Sequence, residues 1–170
     1  MPGNRDIVSV HNEQVGLLCT QWAYLEWLLE IAIWWFVGLL NAPGDGRVLT
    51  GSFGIATLGR KACDLAHRKF SNQADLDKLA EVAKRVADVM DERNLAIHGV
   101  RSLQPDDTVL AAVARGKYKH EPQKLPLIRL QSLNDEVARI IAVIEPLLAE
   151  NGVIEGITEI SRRYSSPDHG

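Results

Sequence analysis

Three side chains that suit phosphate chemistry lie close together in the charged segment DERNLAIHG at residues 91–99, namely Arg93, Asn94 and His98. A histidine gains and loses a proton near neutral pH, which is the property that a general acid or base needs. An arginine binds two phosphate oxygens at once and stabilises the negative charge that develops during displacement at phosphorus. Together they suit attack of an RNA 2′-hydroxyl on the neighbouring phosphate, and for this reaction we expect no metal and no other cofactor.

The arginine of this segment occupies a position where the surrounding helical pattern requires an apolar residue. Residues 73–98 are predicted to form a helix whose apolar stripe is interrupted at Arg93. The stripe consists of Leu76, Leu79, Ala83, Val86, Met90 and Ile97, widened by Val82, Val89 and Ala96. Because local sequence rules tend to fail at functional sites, the interruption favours a functional arginine. The alternatives are an arginine that extends to solvent or pairs with Glu26 or Glu30, and a His98 that only binds the last helix carbonyls.

The spacing between arginine and histidine is weak evidence by itself. Twelve arginines and five histidines give about one pair with four to six intervening residues by chance, whereas the chain contains six. The other five pairs are Arg5–His11, Arg60–His67, Arg115–His120, Arg162–His169 and Arg163–His169. Arg60–His67 is the main rival for the site, because both side chains share one face of a predicted helix.

A basic cluster surrounds this rival pair and consists of Arg60, Lys61, His67, Arg68 and Lys69. Such a cluster either guides the backbone of an RNA or forms an ordinary solvated helix face, and the residues alone leave both alternatives open. The whole chain has a formal net charge of −3, so its charge balance does not indicate binding of duplex DNA, for which a basic face is expected. Any phosphate site is therefore expected to be small and local.

Four helices and a short extended insertion organise the chain in this prediction. The helices are expected at about residues 8–40, 53–70, 73–98 and 132–151, and the cluster NAPGDG ends the first of them. The segments TVLAAVARG and KLPLIRL, between the third and fourth helices, are expected to form a β-hairpin or two extended arms. The sequence thus predicts an all-α, up-and-down four-helix bundle in one domain over residues 1–170, with a flexible polar tail at about 161–170.

The long first helix raises the question of a membrane. Residues 15–40 are long enough to span a bilayer, but they contain Glu26 and Glu30, whose carboxylates are costly there. We therefore expect no membrane span, while peripheral association remains an alternative. The four tryptophans of this helix are Trp22, Trp27, Trp34 and Trp35, and they are expected in the core or in a dimer interface.

The cysteine content indicates the compartment. The two cysteines, Cys19 and Cys63, match no zinc-site spacing and are too few for a secreted disulfide framework. With 46% hydrophobic and 24% charged residues, the composition is that of an ordinary globular protein. A reducing cytoplasm is the expected location.

The segment RNLAIHG and the order of the predicted helices resemble the HEPN domains (higher eukaryotes and prokaryotes nucleotide-binding). The shared features are a long tryptophan-rich first helix, a short second helix, an arginine–histidine motif ending the third helix, and a closing helix. The resemblance implies a metal-independent endoribonuclease, or a relative that has lost catalysis and serves as a binding or scaffolding module. It implies that Arg93 holds the scissile phosphate, His98 transfers protons and Asn94 positions one or both. In some relatives acidic residues orient the arginine, which is the supporting role considered for Glu26 and Glu30, and the alternative is that these two form an exposed polar face of the first helix.

The resemblance also implies an assembly and partners. HEPN proteins usually form homodimers in which two motifs line one cleft, and many act as toxins or in defence, which implies RNA as substrate and an antitoxin or regulatory protein as partner. A related form has a tyrosine two residues after the histidine, and this chain has Val100 there. On an ideal helix, positions five apart point about 140° away from each other. Arg93 and His98 are therefore expected not to meet within one chain, which favours a site completed by a second copy.

Overall fold

The elements of the chain are known from a computed structural model that describes residues 3–98, 100–103, 109–112, 114–115, 118–119 and 123–154, with side chains described for residues 8–98 and 124–154. The helices are α1 (Gly3–Val37), α2 (Pro43–Thr50), α3 (Ile55–Ala66), α4 (Gln73–His98) and α5 (Leu127–Glu150). The strands are β1 (Val100–Leu103), β2 (Val109–Ala112), β3 (Ala114–Arg115), β4 (Tyr118–Lys119) and β5 (Gln123–Lys124).

The predicted all-α class is confirmed, because helices account for most of the described residues. The described part of the chain contains five helices, one more than the sequence predicted, since α2 was missed. The short strands follow α4 and precede α5. They pair antiparallel in the order β1-β2-β5, with β3 and β4 forming a separate pair.

The chain divides into two compact units. Unit 1 contains Met1–Ala23 and Ala87–Arg139, and unit 2 contains Tyr24–Val86 and Ile140–Gly170. The helices α1, α4 and α5 therefore each contribute residues to both units. The single domain expected over residues 1–170 stays a prediction, and the expected polar tail at residues 161–170 lies outside the described residues.

Unit 1 is held together by polar contacts from α1 to the beginning of α5. His11 is buried, and its Nε2 lies 3.1 Å from the carbonyl oxygen of Leu125, just before α5 begins. The amide nitrogen of Asn134 donates to the backbone oxygen of Gln14 at 3.0 Å and to Gln14 Oε1 at 2.9 Å. These bonds satisfy groups that would otherwise be buried without partners, and they fix the register of α5 along α1 in this unit.

Unit 2 contains the helix that the sequence analysis missed. Pro43 was expected to end helical structure, but it lies in the first turn of α2, where a proline costs no hydrogen bond and has the helical φ value. The first helix ends earlier than predicted, because Gly38 has a φ of 78°. The indole nitrogen of Trp34 donates to the hydroxyl oxygen of Thr50 at 3.1 Å, and this bond fastens the end of α2 to α1.

The two helices that bound the strand segment differ in how well they were predicted. Helix α4 covers residues 73–98, as predicted, and Leu79, Val82, Val86 and Ala96 of its stripe are buried. Helix α5 begins at Leu127 instead of about residue 132, so the second half of KLPLIRL is helical and not extended. Pro126 directly precedes that helix and Gly152, with a φ of 74°, follows its end.

No helix in the described ranges is both long enough and apolar enough to cross a membrane. Residues 15–40 are long enough to span a bilayer, but the helix that contains most of them is not apolar enough.

The two thiols are expected to differ strongly in reactivity. Cys19 is exposed, whereas Cys63 is half-buried and its Sγ lies 3.6 Å from the carbonyl oxygen of Leu79. Burial, together with the neighbouring Asp64 carboxylate, raises the pKa of the Cys63 thiol, so less of the reactive thiolate exists at a given pH. With a disulfide reagent at pH 7.5, Cys19 should react first and Cys63 at least about tenfold more slowly.

Labelling of Cys19→Ser and Cys63→Ser separates the two rates, and the remaining Cys63 rate should rise as pH increases. In denaturant both thiols should react at similar rates. Equal rates in the native protein would contradict the burial of Cys63.

Candidate active site at the end of α4

The end of α4 brings together the three residues that the sequence analysis singled out. Arg93, Asn94 and His98 lie in its last two turns, all in unit 1. Arg93 Nη1 donates to Asn94 Oδ1 at 3.0 Å and lies 3.3 Å from His98 Nε2. One terminal nitrogen of the guanidinium thus contacts both neighbours, and the three side chains form one connected group.

The guanidinium of Arg93 is supported from below by an aromatic ring. Its central carbon lies 4.7 Å from the centroid of the Trp22 indole, and Trp22 is 1% exposed. A planar guanidinium stacks on an aromatic face while its N–H groups, which lie in its own plane, bind acceptors at its edge. This contact explains why an arginine replaces an apolar residue in the stripe: the flat face of its side chain covers Trp22, as the missing leucine would.

The contact within one chain corrects one expectation. Arg93 and His98 were expected to point apart, so that only a second copy would complete the site. The structure shows them in contact, because the arginine side chain is long enough to span the angle between the two positions. Ideal helix angles give only the direction in which a side chain leaves the helix axis, and a long side chain such as that of arginine can bend across that angle.

The hydrogen bond to His98 defines the form of the imidazole in this state. A guanidinium has only donors, so Nε2 must accept and the ring proton must be on Nδ1. His98 as a residue is exposed. The imidazole therefore presents a lone pair toward the arginine, at the place where an anion bound by Arg93 would lie.

A neighbouring ion pair joins this end of α4 to α5, and the sequence analysis missed it. Arg129 Nε donates to Glu92 Oε1, and Glu92 directly precedes Arg93. Arg129 could have been recognised only if its segment had been predicted as helix, whereas KLPLIRL was predicted to be extended.

The two proposed supporting acids belong to unit 2. Glu30 is half-buried, and its Oε1 accepts from the Thr50 hydroxyl at 3.0 Å. The same hydroxyl oxygen accepts from the Trp34 indole nitrogen. Through its contact with Thr50, Glu30, which lies on α1, helps to hold the end of α2 against α1. Glu26 is half-buried on the same helix. Their suggested role beside Arg93 stays a prediction.

The basic cluster of α3 and the turn after it is a solvent-exposed surface. All five of its members, Arg60, Lys61, His67, Arg68 and Lys69, are exposed. Lys69 Nζ lies 5.7 Å from the centroid of the Trp35 ring. Within residues 8–98, where both lie, no hydrogen bond joins Arg60 to His67, so the rival pair lacks the direct contact that Arg93 and His98 have. The described side chains do not include Arg5, Arg115–His120 or the two pairs of the tail.

Comparisons of the chain with protein-family models, with curated proteins and with solved structures give no match. What the site does must therefore be inferred from its own residues and geometry.

Proposed function

We propose that the protein is a metal-independent endoribonuclease of the HEPN type, with Arg93, Asn94 and His98 as its active-site residues. The observation that carries the proposal is the 3.3 Å contact between Arg93 Nη1 and His98 Nε2 at the exposed end of α4. It places an anion-binding group and a proton acceptor side by side, as cleavage of a phosphodiester requires.

The chemistry proceeds without a covalent enzyme intermediate. A phosphate of the RNA takes over the Arg93 donors, which frees the lone pair of His98 Nε2. His98 then accepts the proton of the 2′-hydroxyl, the 2′-oxygen bonds to phosphorus, and the bond from phosphorus to the 5′-oxygen breaks. A second proton donor, for which we propose His98 of a second copy, protonates the 5′-oxygen. The products are a 2′,3′-cyclic phosphate and a 5′-hydroxyl end.

The proposal includes the finer architecture and the setting that the family resemblance implies. The fold would be an up-and-down four-helix bundle to which α2 is an addition, with the strand segment between α4 and α5 as the extended insertion. The protein would act as a homodimer in the cytoplasm, as a toxin or in defence, with an antitoxin or regulatory protein as partner. Direct contact between Arg93 and His98 supports a motif assembled in each copy.

A second candidate is a catalytically silent helical dimer that serves as a binding or scaffolding module. Its support is the position of Arg93 over the buried Trp22, because a purely structural arginine would also cover an apolar ring in this way. In that case the contact with His98 would only fix the arginine and would have no chemical role.

Cleavage of RNA in the presence of EDTA distinguishes the two candidates. Wild-type protein is expected to cut a single-stranded RNA and to leave 2′,3′-cyclic phosphate ends, which are detected by mass spectrometry. His98→Ala should cut about 10²–10⁴ times more slowly, because general acid–base catalysis contributes about that factor. The exposed position of His98 means that the unfolding temperature should change little.

The matched control is His67→Ala, which removes another exposed histidine at a helix end and tests the rival pair at the same time. It should cut at the wild-type rate. Absence of cleavage by wild-type protein on every RNA tested, or full activity of His98→Ala, would exclude the proposed enzyme.

A further inference from the structure

A groove lies in unit 1 along the first part of α1 and the beginning of α5. Its volume is about 660 Å³, within the range of about 300–1,000 Å³ that is usual for small-molecule sites. Its polar lining is unusual in composition, because side-chain amides dominate it. They belong to Gln14, Gln21, Gln131 and Asn134.

Two of these amides have carbonyl oxygens that find no hydrogen-bond donor among the described residues. These atoms are Gln21 Oε1 and Asn134 Oδ1, and both are buried. Asn134 is 3% exposed, and its two bonds to Gln14 fix which atom is nitrogen and which is oxygen. A buried acceptor without a donor costs free energy that a donor from a ligand recovers. The half-exposed Gln21 can bring its oxygen into the groove by rotating its side chain.

The remaining lining defines the ligand further. The only charged side chain among the lining residues is the exposed Asp135, so the groove offers a carboxylate and no cation. It therefore suits a group that donates hydrogen bonds, and it disfavours a phosphate. Leu17 and Ile128, which are 45% and 72% exposed, add apolar surface beside these acceptors. The matching ligand has N–H donors at one edge and an apolar face beside them.

We propose that this groove binds an RNA base that carries an exocyclic amino group, that is adenine, cytosine or guanine, in preference to uracil. Side-chain amides and carboxylates are the groups that recognise such base edges, and unpaired RNA exposes these edges. The two N–H groups of the amino group donate to Asp135 and to one of the amide oxygens of Gln21 and Asn134, and the apolar side chains contact the ring. The inference deepens the proposed ribonuclease and rests on it for its choice of RNA as the source of the base.

Titration of the full chain with nucleosides tests this site apart from the phosphate chemistry. Adenosine and cytidine should shift the amide NMR signals of α1 and α5, with affinity about tenfold higher than that of uridine. The same shifts should appear with the Arg93→Ala protein, because nucleosides carry no phosphate. Asp135→Asn and Gln21→Leu should each reduce the preference for adenosine over uridine about tenfold.

The matched controls are Asp88→Asn and Gln73→Leu, which change the same residue types at exposed positions of α4 outside the groove. They should keep the preference. No binding of any nucleoside, equal binding of uridine, or groove variants that change only the oligomeric state would overturn the inference. If the protein cleaves RNA but binds no nucleoside, the proposed enzyme is kept and the proposed base site is excluded. If it binds nucleosides but cleaves no RNA, the base site is kept and the proposed enzyme is excluded.

Discussion

Replacing Arg93 by lysine is expected to slow RNA cleavage about 100-fold, although the positive charge at this position is kept. A guanidinium offers several donors in one plane, so it can lie flat on Trp22 and bind two phosphate oxygens at the same time. A lysine ammonium is a compact charge whose donors point in a tetrahedral arrangement, and it cannot do both. The lost interaction is one that strengthens as negative charge develops at the phosphate, so kcat should fall more than KM rises.

Single-turnover cleavage of a short RNA, measured with thermal unfolding of the same sample, checks this prediction. The free energy of unfolding should change by at most about 2 kcal/mol, the upper value for a cation–π contact. The matched control is Arg129→Lys, in the same unit, whose arginine pairs with Glu92 and is largely exposed. It should keep nearly wild-type activity, because a lysine can maintain that ion pair. An Arg93→Lys protein that cuts at the wild-type rate would show that Arg93 only supports the structure.

The end of α4 illustrates how far a sequence can predict a site. The bounds of α4 were correct, because a periodic pattern of 26 residues averages over many local preferences. The same pattern identified Arg93 as a misplaced residue. It did not identify Trp22 as the surface beneath it, because a contact between α1 and α4 depends on packing between distant segments of the chain.

Two errors in the predicted helices occur next to a proline. A proline was interpreted as the end of helical structure, whereas its fixed φ also suits the first turn of a helix. Pro43 lies in the first turn of α2, and this helix was missed. Helix α5 was predicted to begin too late, because the apolar run KLPLIRL was interpreted as extended although the helix begins directly after its Pro126. Sequence alone did not show which side of each proline was helical, because that depends on tertiary contacts such as the bond from Trp34 to Thr50.

Gly46 in α2, the helix that was not predicted, is a position at which adding a single methyl group should strongly reduce stability. A Cβ atom added at Gly46 would lie 2.7, 2.8 and 2.9 Å from three ring atoms of Trp34, well inside normal contact distance. Trp34 is 6% exposed, and its indole nitrogen is bound to Thr50. The ring therefore cannot move away without losing that hydrogen bond or its packing. The close approach of α2 to this ring depends on the absence of a side chain at Gly46.

The contact that Gly46→Ala creates is therefore expected to cost about 1–3 kcal/mol of unfolding free energy, the usual cost of an overpacked core. Alanine stabilises a helix by about 1 kcal/mol relative to glycine. The measured decrease in unfolding free energy is therefore the cost of the contact minus this gain. Gly44→Ala is the matched control in the same helix, because a Cβ there meets nothing within 4 Å. It should leave stability unchanged or raise it by up to about 1 kcal/mol.

Urea unfolding followed by tryptophan fluorescence measures both variants, and the difference between them removes the helix preference of alanine from the comparison. What remains is the contact between Gly46 and Trp34. If α2 packs on Trp34 as described, Thr50→Val should also destabilise the protein, because the indole nitrogen and the Glu30 carboxylate then lose their common partner. Equal stability of the two alanine variants would mean that α2 does not approach Trp34 this closely in solution.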